Sequence, residues 1–432
     1  MKSHKLLKFV IFIFILSGII SINNKQCLSY EKLNTISVEQ NAKSREEIGQ
    51  KFYESDRVVK GLKVIVSIGI PIVFLATGFS AKLRNASQSI GKTYFITIGI
   101  YGVLYNLIND LISFPLSYYG GYVQRHYFGL SHQPFLLWLK NYLINLGISS
   151  IVIFLILWIP YRIIKASPKR WWIYTGIISI PLTFIIFLAQ PIVIDPLFND
   201  FKPIKDKQME QSLINLTKQA NIENCNILKV DKSKETDMMN AYMTGIGKSK
   251  RIVLWDTTVD KLNLREIKFV TAHEIGHYVL GHIKKMMILQ IISIFMIFYI
   301  IYAIAPYIID KYKYKFKFNS LQDIASLPLI ILMLNLCILA ITPSSNTYSC
   351  YMEKQADTFA IEITRDNEAA ISSFQKLSES GIVIPNPDPI YKLWTYNHPP
   401  ISERVEFFKK YKPWTEGKQL IYEEYINTES FK

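Results

Sequence analysis

The chain has 432 residues, of which 50% are hydrophobic and only 19% are charged. Because soluble domains carry about 25% charged residues, this composition argues against a soluble globular protein. The formal net charge of +15 does not indicate a nucleic-acid partner, because the lysines and arginines lie mostly in short loops between apolar blocks, where basic residues set membrane topology.

The chain begins with three lysines among its first eight residues, followed by an apolar run at residues 9–22. A basic start before an apolar run is typical of a signal peptide and of a first transmembrane helix. No small-x-small cleavage site follows, which favours a retained helix, but both interpretations of residues 1–22 stay open. Residues 23–61 are polar and are predicted to form an extramembrane segment.

Six further apolar blocks are candidates to cross about 30 Å of hydrocarbon as α-helices, although the last is short and would be tilted or rely on protein neighbours. The first four occupy residues 62–194 and the last two occupy residues 285–342. The blocks lie at residues 62–80, 94–115, 147–159, 176–194, 286–308 and 327–341. Together with residues 1–22 they predict an all-α polytopic membrane protein with about seven transmembrane helices.

Two polar regions, residues 195–284 and 343–432, lie before and after the last pair of predicted membrane helices. We expect them to meet as the two parts of one soluble domain, mainly helical and carrying a small β-sheet. Residues 226–230 (NILKV) and 252–255 (IVLW) have the composition of short strands. Two glycines at residues 243–247 (MTGIG) indicate a turn between these strands.

A capped helix follows the predicted sheet. Asn263 and Glu266 have the spacing of a capping box, and the helix is expected to run to His282. It contains the sequence TAHEIGH, in which His273 and His277 lie four residues apart and therefore on one face. Two imidazoles one helical turn apart can bind a single Zn²⁺ ion.

Glu274 directly follows the first histidine, where it cannot easily join the same set of ligands. It can instead take a proton from a zinc-bound water and later pass that proton to the leaving amine. His282 lies five residues beyond His277 and is expected off the ligand face, as a surface residue or an outer neighbour of the ligands. Because the HExxH pattern also occurs by chance, a third ligand is needed to predict a catalytic site.

A catalytic zinc takes three protein ligands and leaves one position for water. Glu353 is the candidate for the third ligand, and Asp357, one helical turn later, would hold the second ring nitrogen of a ligand histidine. Without the first motif, this segment would be interpreted as an ordinary amphipathic helix. We expect one Zn²⁺ per chain; the four cysteines have no paired spacing and support neither a disulfide framework nor a cysteine zinc site.

The chain resembles the CAAX prenyl protease 1 family, the seven-span membrane metallopeptidases, and more distantly the HtpX-like proteases. The resemblance extends from about residue 114 onward and rests on several motifs in the same order. These are Gln190-Pro191 with Pro196-Leu-Phe-Asn199, Asn240-Ala-Tyr242, the TAHEIGH segment, Asn346 with Ser349 and Glu353-x-x-x-Asp357, Asp388-Pro-Ile-Tyr, and His398-Pro-Pro with Arg404. Cys350 and Tyr351 depart from the family, whose members often carry a basic pair there.

The resemblance implies roles that the residues alone do not. Asn240, Ala241 and Tyr242 would lie on an edge strand that pairs with the substrate backbone, as exposed strand edges can. His398 would stabilise the oxyanion of the tetrahedral intermediate. Arg404 would hold its segment near the zinc, through a carboxylate. By itself, the His-Pro-Pro sequence would be interpreted as a loop that starts a helix.

The resemblance implies a zincin-like (gluzincin-type) metalloendopeptidase of the membrane, acting on peptide or protein substrates that are prenylated or membrane-associated. The sequence itself shows no prenyl pocket. One alternative is a quality-control protease for membrane proteins, without a prenyl preference. An alternative of another class is a non-enzymatic membrane protein with a structural zinc, but such a zinc usually has four protein ligands.

Basic loops predict the orientation in the membrane. Residues 81–92, 161–170 and 310–319 are short and strongly basic, which predicts that they face the cytoplasm and that the polar regions lie outside it. The resemblance to eukaryotic enzymes implies a cytosol-facing site instead; we prefer the charge pattern because it belongs to this chain. The membrane would be the cell membrane in a bacterium or the endoplasmic reticulum in a eukaryote.

Polar residues inside the apolar blocks would suit the water-filled chamber that the resemblance implies between the membrane helices, because polar groups within a membrane rarely face lipid. They are Asn106, Asn109, Asp110 and Asn335. Asp110 fits a position near a helix end equally well.

Overall fold

The computed structural model describes residues 38–245, 247–382, 384 and 387–427. The signal peptide or first transmembrane helix predicted at residues 1–22 lies outside the described residues.

The described chain is mainly α-helical, with one small sheet. The helices are α1 (Val38–Ala76), α2 (Phe79–Ile90), α3 (Tyr94–Tyr118), α4 (Gln124–Tyr127), α5 (Phe135–Ile156), α6 (Trp158–Ala166), α7 (Trp171–Ala189), α8 (Lys207–Gln219), α9 (Asp256–Lys261), α10 (Leu264–Val279), α11 (His282–Phe316), α12 (Leu327–Thr364), α13 (Asn367–Ser380), α14 (Pro389–Thr395) and α15 (Ile401–Lys410). The strands are β1 (Phe201–Pro203), β2 (Asn226–Val230), β3 (Ala241–Thr244) and β4 (Arg251–Trp255).

Six helical segments of the described chain are long and apolar enough to cross a membrane. They are Arg45–Ala76, Tyr94–Tyr127, Phe135–Ala166, Trp171–Leu197, His282–Phe316 and Ile324–Thr364. Each overlaps one of the six apolar blocks found in the sequence. Large apolar side chains are exposed on the surfaces of these helices, as expected of helices that face lipid.

The chain divides into two compact units. The first, here called the membrane unit, comprises the described residues within the ranges 1–128, 134–181 and 291–340. The second, here called the sheet unit, comprises residues 129–133, 182–290 and 341–432.

Small and polar residues organise the interior of the membrane unit. A Cβ atom on Gly99 would lie 2.6 Å from the ring of Phe154, so glycine is needed where α3 passes α5. Asn106 donates hydrogen bonds of 3.2 Å to the hydroxyls of Ser149 and Ser150 on α5. Asn106 thus has its polar partners inside the protein rather than facing lipid.

A cavity of about 730 Å³ with several polar side chains in a mainly apolar lining lies within the membrane unit. Three of the four polar residues selected from the apolar blocks, Asn106, Asn109 and Asn335, line it. Asp110 instead accepts a 2.8 Å hydrogen bond from the Tyr142 hydroxyl.

The sheet unit contains four strands in the order β1-β2-β4-β3. Strands β2 and β4 are parallel, with Asn226 opposite Arg251, and β1 and β3 pair antiparallel at the two edges. The two strands predicted from composition are present with ends within one residue. The edge strand β1 was not predicted because it has only three residues, one of them a proline.

The ends of helices α10 and α12 are set by different local features. The helix expected to reach His282 ends at Val279, because Gly281 adopts a left-handed conformation (φ +67°) that terminates it and allows α11 to begin at His282. In addition, α12 continues without interruption from the last apolar block through residues 343–364. Pro343 is tolerated inside this helix, and no glycine follows it before Thr364.

Candidate metal centre

Helix α10 carries the two histidines of the TAHEIGH segment and is firmly anchored at its start. Asn263 accepts a 3.1 Å hydrogen bond from the backbone N–H of Glu266, whose carboxylate accepts one of 2.8 Å from the Asn263 N–H. The same carboxylate is almost fully buried. It also accepts hydrogen bonds from two side chains of α13, the Lys376 ammonium at 2.7 Å and the Ser372 hydroxyl at 2.6 Å. These bonds fix the position of the helix that bears the site.

Small residues let α10 approach α12. Gly276 faces Ala356 and Phe359, and a Cβ atom added to it would lie 3.2 Å and 3.0 Å from them. Ala272 is fully buried. The close approach brings Glu353 of α12 next to the two histidines of α10.

Three side chains converge at this contact. Their ligand atoms, one each from His273, His277 and Glu353, all lie within 4.8 Å of one another. The two Nε2 atoms are 3.1 Å apart, and they lie 3.3 Å and 3.2 Å from the Glu353 carboxylate oxygens. Buried Oε2 of Glu353 has no hydrogen-bond partner. Two imidazoles and an unsatisfied buried carboxylate suit a divalent cation, so the residues fit a metal ion.

A buried ion pair supports this cluster from behind. Nδ1 of His273 lies 3.0 Å from Oδ1 of Asp357. Arg404 donates hydrogen bonds to both carboxylate oxygens of Asp357, at 2.8 Å and 2.6 Å. Its Nη1 lies 3.5 Å from Oε2 of Glu353. The guanidinium also lies 4.2 Å from the ring centre of Phe374. Arg404 therefore compensates two carboxylates that would otherwise be buried together.

The electrostatics of the cluster favour a cation. Burial disfavours a charged imidazole at His273, but the adjacent carboxylates of Asp357 and Glu353 outweigh it and raise the pKa of His273 to about 10. Burial raises the pKa of Glu274 above its ordinary value, while the neighbouring imidazoles of His273 and His277 oppose that rise. A carboxylate with a raised pKa is better suited to accept and return a proton.

His398 approaches the same cluster from the loop between α14 and α15. Its Nε2 lies 3.3 Å from Oε1 of Glu353, and its side chain is 55% exposed. Asn346 and Cys350 of α12 hold the preceding residues by hydrogen bonds to the carbonyls of Leu393 and Tyr396. Cys350, which departs from the family pattern, therefore contacts the loop that bears His398.

The predicted substrate strand lies at an edge of the sheet, since β3 pairs only with β4 among the described strands. The carbonyl of Asn240 accepts a 3.0 Å hydrogen bond from the backbone N–H of Trp255 on β4. Because the backbone hydrogen-bonding groups of successive residues point to alternate sides of a strand, the N–H and C=O groups of Ala241 and Met243 point away from β4. The N–H of Ala241 donates to the Asn240 side chain at 2.8 Å. Tyr242 is half-buried on the same strand.

His282, for which the sequence left two interpretations, is buried. It is only 2% exposed, and its Nδ1 lies 2.9 Å from Nδ1 of His277. Its Nε2 lies 3.2 Å from Oε1 of Gln355, a residue that sequence reasoning missed. Gly281 was the one local signal that the chain could turn back here.

A helix bearing HExxH, a downstream glutamate and several helices able to cross a membrane together define a gluzincin-type metallopeptidase of the membrane. Comparison with known proteins identifies the family. The model of peptidase family M48 matches residues 203–412, and that of the CAAX prenyl protease N-terminal region, with five membrane helices, matches residues 50–200. The chain belongs to peptidase family M48.

Relatives and a solved structure agree with this assignment. The chain is 35% identical to an uncharacterised metalloprotease, YhfN, of Bacillus subtilis, over 79% of this chain and 82% of that protein. It is 30% identical to a CAAX prenyl protease 1 homologue of Dictyostelium discoideum, over 76% of each chain. The crystal structure of Ste24p from S. mikatae has the same fold, with a TM-score of 0.76 and 23% identity over 94% of this chain and 98% of that one.

The protein is therefore a multi-pass membrane metalloprotease that acts on peptides or proteins. The predicted fold class, a polytopic helical membrane protein with a small sheet, is confirmed. The non-enzymatic alternative is not supported by family membership.

Proposed function

We propose that this protein is a zinc endopeptidase in which His273, His277 and Glu353 hold one Zn²⁺ ion. The observation that carries this proposal is the convergence of two Nε2 atoms and a carboxylate whose buried oxygen has no hydrogen-bond partner. Two histidines and one glutamate form a common ligand set of catalytic zinc, with a position left for water. When bound, Zn²⁺ would polarise the scissile carbonyl and make water more acidic.

The other residues would take the following roles. Glu274 would accept a proton from the attacking water and return it to the leaving amine, as its raised pKa supports. His398 would stabilise the developing oxyanion through a hydrogen bond. Asp357 would orient His273, and Arg404 would hold Asp357 and Glu353 in place.

The substrate backbone would pair with β3 as an added strand. The outward peptide groups of Ala241 and Met243 support this role. Asn240 would release the N–H of Ala241 to the substrate, and Tyr242 would lie beside the docked chain.

Two regions of sequence would form the catalytic domain, residues 195–284 and 343–432, flanking membrane helices at residues 285–342. The composition of the sheet unit supports this division. The remaining parts would be residues 1–22 as signal peptide or first helix, 23–61 outside the membrane and 62–194 as membrane helices.

The substrates would be membrane-associated peptides, including prenylated C-terminal peptides. The relatives named CAAX prenyl protease support a prenylated substrate. The cavity of the membrane unit, with Asn106, Asn109 and Asn335 in its lining, supports a peptide that enters between helices. The catalytic domain would lie outside the cytoplasm, on the far side from the basic loops. The membrane would be the cell membrane in a bacterium or the endoplasmic reticulum in a eukaryote.

The test uses purified full-length protein in detergent, with metal analysis and cleavage of paired peptides that differ only in a prenyl group. One zinc per chain and faster cleavage of the prenylated peptide are expected. Equal cleavage of both peptides would favour the quality-control alternative. A protein without zinc, or with zinc but no cleavage of any peptide, would contradict the proposal.

A further inference from the structure

We propose that His282 is a positioning residue that fixes the tautomer of His277, so that the Nε2 lone pair of His277 points at the metal; this inference rests on the proposed zinc site. His282 lies outside the HExxH motif and supplies no ligand atom. It reaches His277 because the left-handed turn at Gly281 folds the start of α11 back against the end of α10.

Hydrogen bonds link His277 to His282 and His282 to Gln355, and only one placement of the protons along them permits metal binding. Nε2 of His277 faces Glu353 at 3.2 Å, so a metal ion must be bound through the lone pair on that atom. A neutral imidazole then carries its proton on Nδ1. That N–H lies 2.9 Å from Nδ1 of His282, which must accept it and must therefore be unprotonated.

The next bond is consistent with this assignment. With Nδ1 of His282 as acceptor, its proton lies on Nε2, which faces Oε1 of Gln355 at 3.2 Å. A carbonyl oxygen can only accept, so it favours the His282 tautomer that His277 requires. The Gln355 amide nitrogen in turn lies 3.4 Å from the hydroxyl of Tyr351. The opposite arrangement would place a proton on Nε2 of His277 and block metal binding.

Water cannot easily replace His282, because the side chain is almost fully buried. The two ligand histidines therefore have different supports. His273 is held by the charged carboxylate of Asp357, whereas His277 is held by a neutral imidazole. With Glu353, Asp357 and Glu274 already facing a single Arg404, a neutral acceptor avoids adding another negative charge.

The test compares His282→Leu with His282→Asn in the full-length protein. Leucine removes the acceptor, whereas the asparagine carbonyl can accept the His277 N–H. Zn²⁺ affinity is measured by competition with a chelator, and the visible ligand-field bands of the Co²⁺-substituted protein report the ligand geometry. His132→Leu, an exposed histidine of the same unit outside the site, is the matched control.

We expect His282→Leu to weaken Zn²⁺ binding about 10- to 100-fold, the usual effect of losing the partner of a ligand histidine. His282→Asn should bind within about threefold of the wild type and keep its Co²⁺ spectrum, and His132→Leu should bind as the wild type does. Unchanged affinity in His282→Leu, or an equal loss in the leucine and asparagine variants, would overturn the proposal. Failure of the zinc site itself would appear in the wild type, which would then bind no zinc.

Discussion

Gly276 on α10 faces Ala356 on α12 so closely that a Cβ atom at position 276 would lie 3.2 Å from the Cα atom of Ala356. This separation sets the distance between the helix that bears the two histidines and the helix that bears Glu353. Packing at Gly276 therefore controls whether three ligand atoms can share one ion.

Enlarging Gly276 should damage the metal site without touching a ligand. We expect Gly276→Val to push α12 away and to lower zinc content and thermal stability, since overpacking a core costs about 1–3 kcal/mol. Gly276→Ala should have a smaller effect in the same direction. Gly147→Ala, where no atom lies within 4 Å of the new Cβ, is the control. Full zinc occupancy in Gly276→Val would show that the helix spacing is not limiting.

Replacing the proposed general base should separate metal binding from catalysis. Glu274→Gln should keep zinc and fold but lower turnover by at least about 100-fold, because no carboxylate remains to take the proton. His277→Ala and Glu353→Ala should instead lose zinc. The measurements are zinc content and peptide cleavage by pure protein. Near-normal cleavage by Glu274→Gln would make the proposed mechanism wrong.

The buried pair of Arg404 and Asp357 should matter far more than a surface pair. Arg404→Met leaves two carboxylates uncompensated and should destabilise the protein by about 3–5 kcal/mol, which thermal unfolding can detect. Arg265 makes a similar two-bond contact with Asp366, but its side chain is 62% exposed. Arg265→Met should change the unfolding temperature little. Equal effects of the two changes would contradict a structural role for the buried charge.

Substrate docking on β3 predicts a specific effect of proline. Ala241→Pro removes an outward N–H and obstructs a neighbouring chain, so the Michaelis constant for peptides should rise while zinc content stays the same. Ala241→Gly keeps the N–H and serves as the control. An unaltered Michaelis constant in the proline variant would argue that the substrate docks elsewhere.

The orientation in the membrane can be tested with single cysteines at Lys165 and Lys207 in a background without the four native cysteines. Both positions are exposed. A membrane-impermeant thiol reagent applied to intact cells should label position 207 and not position 165, because the basic loop containing Lys165 is expected inside. Labelling of position 165 alone would reverse the orientation.

Local sequence was sufficient to predict many of the elements. The six apolar blocks each predicted a helix because a long apolar run has no other stable form in a membrane. The capping box at Asn263 and Glu266 correctly predicted the start of α10. The helical spacing of His273 and His277 placed both rings on one face for the same local reason. By contrast, the end of α10 was misplaced, because Gly281 was not recognised as a helix terminator.

The sequence alone therefore determined the membrane helices, the two histidines on one helix face and the adjacent Glu274. Only the tertiary structure decided that Glu353 meets those histidines, that Arg404 compensates Asp357, and that His282 and Gln355 extend the network behind His277. The physical reason is distance along the chain. Periodicity and capping act within a few helical turns, whereas these contacts join α10, α11, α12 and α15 and depend on how closely small residues such as Gly276 allow helices to pack.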